Sequence, residues 1–161
     1  MLDKGTAYDE RSAGGIVYKK TSQGLLWLVV KAFSYQRGGD HTRGRGKTVF
    51  KFPKGHLRLR ENLKPAAIRE VEEEGGIKAK IIDKLGSRNY YFTDRLTNRK
   101  IVKRVTFFLM EYVSDSNLKY ADREIILERL WLPYEEALKT VAYDSERQLL
   151  KIAKERVERT G

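Results

Sequence analysis

GHLRLRENLKPAAIREVEEEGGI, residues 55–77, sets glycine, glutamate and arginine at fixed spacings. Gly55 is followed after five residues by Glu61, and after seven more by Arg69-Glu70-Val71, Glu73-Glu74 and Gly76-Ile77. Seven polar or glycine positions, each filled at ordinary frequency about 5–8% of the time, coincide by chance roughly once in 10^8 starts. The stretch reads as a helix from the N-cap Asn62 to Glu74, with Pro65 in its first turn and Gly75-Gly76 stopping it. At about 100° per residue, Glu70, Glu73 and Glu74 share one face, and Glu72 points away to solvent. Ile68 and Val71 are the apolar residues available to pack this helix on a sheet.

Three carboxylates on one face repel one another, so something cationic must compensate. Oxygen-only ligands suit hard cations such as Mg²⁺ or Mn²⁺, which also bridge phosphate oxygens. A solvated acidic face is the plain reading of an ExxEE run alone. The glycines, Arg69 and Glu61 at their spacings argue against it.

Outward from this stretch the chain reads as strands, helix, strands and helices. Segments 12–20 and 24–33 are strands joined at Thr21-Ser22-Gln23. The second is almost wholly apolar, as a strand buried on both faces would be. Residues 34–48 form a glycine-rich basic loop with Arg37, Arg43, Arg45 and Lys47. Val49 to Phe52 is a strand ending at Pro53. Strand character fills Lys78 to Val113 around a turn at 93–98, a polar loop covers 114–123, and a short strand runs from Glu128 to Pro133. Two helices, Tyr134 to Thr140 and Ser145 to Arg159, close the chain; Leu149, Leu150, Ile152, Ala153 and Val157 give the second an apolar face. A mixed α/β sheet between helices is the architecture this order predicts, as one domain over 1–161.

Composition narrows the chemistry. The 161 residues include no cysteine, which excludes disulfides, thiolate zinc sites and a cysteine nucleophile. His41 and His56 are the only histidines, too few for a histidine-built metal site. No apolar run approaches the roughly 20 residues of a membrane span, and MLDKGTAYDE has no apolar signal core. A soluble cytoplasmic protein is expected. The net charge of +11 concentrates polyanions, either phosphate-rich small molecules or RNA. Nucleic acid is not favoured over a small polyphosphate, and oligomeric state is not legible.

The 55–77 pattern resembles that of the Nudix hydrolases, at all nine specified positions. The resemblance implies an α/β/α sandwich and hydrolysis of phosphoric anhydride bonds with Mg²⁺ or Mn²⁺. Carried over, Glu70 and Glu74 are direct metal ligands. Glu73 assists, and the Gly55 carbonyl supplies a further oxygen. Arg69 holds Glu61 and the neighbouring carboxylates in register, with Glu61 supporting the ligands or binding weakly itself. Glu124 and Glu128 are candidates for an extra base or ligand, and so is Glu70 as base. Many members have glycine immediately before the first motif glutamate. Here that place is Arg60, which suggests a different path for the 57–60 loop.

Three segments bear on substrate. Phe52-Pro53-Lys54-Gly55-His56 is similar to the PKGH segment of asymmetric dinucleoside-tetraphosphate hydrolases, and to the PKG of diphosphoinositol-polyphosphate hydrolases. Lys103 to Leu109 is similar to a lysine-led strand of dinucleoside-polyphosphate hydrolases. Lys54 and Lys103 would then bind the phosphates not being cleaved. Tyr90 and Tyr91 alternate on a strand, so only one can face the site; Tyr91 is the one assigned to stack a base. Diadenosine tetraphosphate is the first expectation. The alternatives are an oxidised nucleoside triphosphate, a diphosphoinositol polyphosphate, or a non-catalytic module that binds RNA or a protein.

Overall fold

The computed structural model describes residues 10–35, 46–94, 96–118 and 125–160. In chain order the elements are β1 (Glu10–Thr21), β2 (Gly24–Tyr35), β3 (Gly46–Lys51), β4 (Lys54–His56), α1 (Leu63–Gly75), β5 (Ile77–Asp94), β6 (Arg99–Asp115), β7 (Ile125–Leu132), α2 (Tyr134–Thr140) and α3 (Asp144–Thr160). The helices lie where the sequence predicts them. The strands run longer, with β2 and β3 extending into the expected 34–48 loop from both ends and β7 beginning before Glu128. Arg37, Arg43 and Arg45 lie outside the described residues.

The main path of the sheet is β3-β2-β1-β6-β5. β1 and β6 are parallel and the other pairings are antiparallel, so the sheet is mixed. One edge of β1 is shared. β2 takes Tyr18 to Thr21, while β4 takes Ser12 to Gly14. The sheet opens into a fork between them, and β4 carries Lys54 and Gly55 within it.

Each face of the sheet buries its own apolar cluster. Ile16, Trp27, Val29, Phe52, Phe107 and Leu109 pack with Leu149, Leu150, Ala153 and Val157 of α3. Ala13, Val17, Leu28, Phe108 and Met110 pack with Ala66, Ala67 and Val71 of α1 on the other side. This is the α/β/α sandwich. No described helix is long and apolar enough to cross a membrane.

Two expectations about α1 are corrected. Ile68 is 41% exposed, because the buried arc runs through Ala66, Ala67, Glu70, Val71 and Glu74 and leaves residue 68 at its margin. The carboxylates therefore share the packed side of the helix. Glu72 does not point freely to solvent: its Oε2 accepts the Ser116 hydroxyl at 2.6 Å. Gly76 ends the helix at φ 70°, the left-handed conformation in which glycine avoids the Cβ penalty. Its N–H donates to the Glu72 carbonyl at 3.0 Å.

Candidate functional site

α1 lies against β1 and β4 through Ala66, Ala67 and Val71, and this packing turns Glu70, Glu73 and Glu74 inward. All three are buried, at 6%, 9% and 3% exposure, which carboxylates do not sustain without cations or donors. Arg69 supplies most of the compensation. Its Nε and Nη2 grip Glu61 Oε2 and Oε1, both at 2.8 Å. Nη1 reaches Glu70 at 2.8 Å and Glu73 at 3.1 Å, while Nη2 also donates to the His56 carbonyl at 3.0 Å. One guanidinium thus ties three carboxylates to the end of β4, as the planar five-donor fork allows. Arg58 adds a contact to Glu73 at 3.3 Å.

The effect shows in the proton affinities. Hydrogen bonding from Arg69 first, then from the Arg58 backbone, holds the Glu61 carboxyl down at about 2 against an ordinary 4.5. Arg69 is pushed the other way, above its usual value, chiefly by Glu61. Because the folded pKa of Glu61 is depressed, its stabilising contribution is complete above pH 4.5 and disappears as pH falls through about 2. Glu61→Gln should therefore flatten the decline of stability across that window, read by urea unfolding at stepped pH.

The loop before Glu61 corrects the sequence expectation. Arg60 takes φ 64°, so the turn keeps the left-handed residue that glycine would serve, at a cost of about 1–2 kcal/mol. Reciprocal bonds close the turn and offset that strain: Glu61 N–H to the Arg58 carbonyl at 3.0 Å, and Arg58 N–H to Glu61 Oε1 at 2.9 Å.

Glu70 and Glu74 meet neighbouring residues of β4. A Cβ on Gly55 would stand 2.2 Å from the Glu70 carboxyl carbon, so only glycine admits that carboxylate. Glu74 Oε1 accepts the Lys54 N–H at 3.0 Å and Lys51 Nζ at 3.3 Å. Among the described residues no group of three carboxylate or imidazole side chains forms a closed ligand cage. The donor chemistry nevertheless fits a hard divalent cation: Glu70 and Glu74 are buried one turn apart on one helix, and the Glu70 carboxylate rests against the Gly55 backbone. Glu70, Glu74 and the Gly55 carbonyl are the groups that would hold it, with Glu73 beside them.

On the opposite sheet face Lys54 Nζ lies 5.8 Å from the ring centre of Tyr90 and 5.4 Å from that of Tyr143. Tyr90 is the register partner of Lys103, and adjacent residues paired in this way share a sheet face. Tyr91 pairs with Val102, faces the other way and is 68% exposed. Tyr90 therefore replaces Tyr91 as the aromatic beside Lys54. Glu128 is exposed on β7 opposite Lys31, and the pleat puts it on the face away from Arg129. Arg129 is the residue that reaches α1, donating from Nε to the Glu74 carbonyl at 2.8 Å. Glu128 is not brought to the carboxylates, and Glu124 lies outside the described residues.

Sequence reasoning missed Lys51, Arg129 and Glu146. Lys51 offers the one local signal: a lysine between Phe50 and Phe52 in a short strand, and it is only 2% exposed.

A mixed sandwich with this glutamate helix packed on a glycine-bearing strand is the arrangement of a Nudix domain. The profile of the NUDIX domain matches residues 9–151, and the chain belongs to that family. It is 36% identical over 116 residues to the protein named "Putative mutator protein MutT4" of Mycobacterium tuberculosis (strain CDC 1551 / Oshkosh), covering 71% of this chain and 45% of that protein. It is also 36% identical over 124 residues to Nudix hydrolase 6 of Arabidopsis thaliana, covering 75% of this chain and 38% of that one. The chain thus spans less than half the length of these curated relatives. In structure it is similar to a C. elegans Ap4A hydrolase in a binary complex, with TM-score 0.66 and 23% identity over 92% of this chain and 98% of the other. A similar likeness holds to the NUDIX domain of Shewanella oneidensis NrtR complexed with ADP ribose, with TM-score 0.64 and 16% identity over 98% and 94% of the two chains.

Proposed function

We propose that this chain, as one Nudix domain over 1–161, is a Mg²⁺- or Mn²⁺-dependent pyrophosphohydrolase acting on dinucleoside polyphosphates, with diadenosine tetraphosphate as the leading substrate. The observation that carries the substrate choice is Lys54: its ammonium sits beside Tyr90 and Tyr143, one residue from Gly55. A cation for spectator phosphates and aromatic faces for a base thus stand at the fork, on the sheet face opposite the carboxylates and one residue along β4 from Gly55. The Nudix fold alone does not select a substrate, since similar folds include both an Ap4A hydrolase and an ADP-ribose-binding domain.

A divalent ion, when bound, would neutralise phosphate charge and lower the pKa of the attacking water. Glu70, Glu74 and the Gly55 carbonyl would hold that ion, with Glu73 supporting them. Arg69 fixes the orientation of Glu70 and Glu73 and keeps Glu61 ionised. Lys54 and Lys103 bind the phosphates that are not cleaved, through charge-assisted hydrogen bonds. Tyr90 stacks a base, a contact that tolerates different bases because each has a π-face. The proton of the attacking water passes to Glu70 or Glu124.

A second reading, an antimutator-type hydrolase of oxidised nucleoside triphosphates, draws on the 36% identity over 116 residues to a protein whose name calls it a mutator protein. Selecting one oxidised purine needs buried polar groups that the wrong base leaves unpaired. The aromatic frame around Lys54 supplies stacking instead.

The test is kcat/KM for diadenosine tetraphosphate, an oxidised guanine triphosphate and a diphosphoinositol polyphosphate under one set of conditions. The dinucleotide is expected to lead and to give ATP and AMP. A lead of more than about tenfold for either rival, roughly 1.4 kcal/mol, overturns the substrate choice. No metal-dependent turnover of any of them would favour a non-catalytic binding module.

A further inference from the structure

Segment 51–54 is held from both faces of the sheet by a glutamate of each flanking helix. From α1, Glu74 accepts the Lys54 N–H at 3.0 Å and Lys51 Nζ at 3.3 Å. From α3, Glu146 accepts the Phe52 N–H at 2.8 Å, and its Oε2 lies 3.8 Å from Lys54 Nζ. Pro53, between them, has no N–H to offer. Glu146 is 0% exposed and sits on the apolar face of α3 among Leu149, Leu150 and Ala153.

An ionised carboxylate at such a position carries a large desolvation cost, which sequence periodicity alone would assign to leucine or isoleucine. The charge faces the lysine of the PKGH segment. Lys54 is itself mostly covered, with its side chain 16% exposed, and its ammonium is confined among Glu146, Tyr90 and Tyr143. Tyr90 is fixed in turn from α3, where its hydroxyl bonds to Ser145 Oγ at 2.8 Å, next to Glu146. One turn of α3 therefore orients both the cation and the ring beside it.

We infer that Glu146 is a positioning residue for substrate: it holds the Lys54 ammonium in the aromatic frame and anchors the backbone that carries Lys54 and Gly55 across the fork. This rests on the phosphate-binding role proposed for Lys54. A glutamate here does what an apolar residue could not. It accepts the Phe52 N–H, and its charge restricts a side chain that would otherwise sample many rotamers.

A double-mutant cycle tests this with Glu146→Gln, Lys54→Met and the pair, using diadenosine tetraphosphate or whichever panel substrate turns over best. Glutamine keeps an oxygen for the Phe52 N–H and removes the charge opposite Lys54. Glu146→Gln should raise KM about fivefold to tenfold and lower kcat less than about threefold, the signature of lost uniform binding. Mn²⁺ affinity, read by calorimetry, should stay within about twofold, because the segment remains anchored. In the Lys54→Met background the same change should alter KM by no more than about a factor of two. Full multiplicative effects in the double variant would assign Glu146 to the fold alone and overturn the inference, as would an unchanged KM in Glu146→Gln. If Lys54→Met leaves KM unchanged for every substrate, the phosphate-binding reading of Lys54 falls and takes this inference with it. A KM effect of Lys54→Met with no coupling to Glu146 removes only the inference. Should Glu146→Gln fail to fold, Glu146→Asp retains the charge but withdraws it by one methylene, and the cycle is read in the same way.

Discussion

Glu74→Gln is expected to lower kcat about a thousandfold or more at saturating Mg²⁺, roughly 4 kcal/mol of lost transition-state stabilisation. The carboxylate is 3% exposed and bonded to the Lys54 N–H, so glutamine can take its place with little movement. The substitution removes charge where a divalent ion would bind. It also breaks the ion pair that Glu74 makes with Lys51, which is 2% exposed and meets it at 3.3 Å. Breaking such a buried pair from one side costs about 3–5 kcal/mol, so the single variant should also melt early. Adding Lys51→Met separates the two effects. The double variant should regain most of the stability while remaining inactive. Urea unfolding and steady-state turnover read the two quantities, and recovery of turnover in Lys51→Met/Glu74→Gln would reduce Glu74 to a structural partner.

Arg69→Met should destabilise the protein by about 3–5 kcal/mol in the absence of divalent ions. The guanidinium bonds Glu61, Glu70, Glu73 and the His56 carbonyl at 2.8–3.1 Å. Its removal leaves carboxylates close together and poorly solvated. A cation that binds among them should restore part of the loss, about 2.7 kcal/mol at a hundred times its Kd. Arg69→Lys should fall between, because a point charge cannot reproduce a bidentate grip on Glu61 and reach two more carboxylates. The measurement is unfolding free energy with and without Mg²⁺. An Arg69→Met protein within about 0.5 kcal/mol of the parent would mean that the carboxylates need no central cation.

The helix and its chemistry were legible because they are local. Spacings of three and four residues place Glu70, Glu73 and Glu74 on one helical face in any context, and Gly76 ends the helix through its own backbone freedom. The covered side of that helix was not legible, since Ile68 is apolar yet marginal and the charged residues are the buried ones. Burial there is decided by β4, which brings Gly55 against Glu70.

The choice between Tyr90 and Tyr91 shows the same division. Alternation along a strand guarantees that they face opposite ways, but which one meets Lys54 depends on register. β5 carries irregularities between Ile81 and Asp83 and between Lys84 and Gly86. Ile81 consequently packs with the α1-side cluster and Leu85 with the α3-side cluster, although plain alternation would put both on one face. No count along β5 could have carried parity from Ile77 to Tyr90.

By itself, then, the sequence determined the carboxylate helix, its glycine stop, the order of strands and helices, and hence the family. Tertiary structure alone decided that Glu74 and Glu146 clamp segment 51–54 and that Arg129 meets the end of α1. The physical reason is separation along the chain. Glu146 lies 94 residues from Phe52 and Arg129 lies 55 from Glu74, so neither contact leaves a periodic trace in sequence. Such contacts come into being only when the two helices close on opposite faces of one sheet.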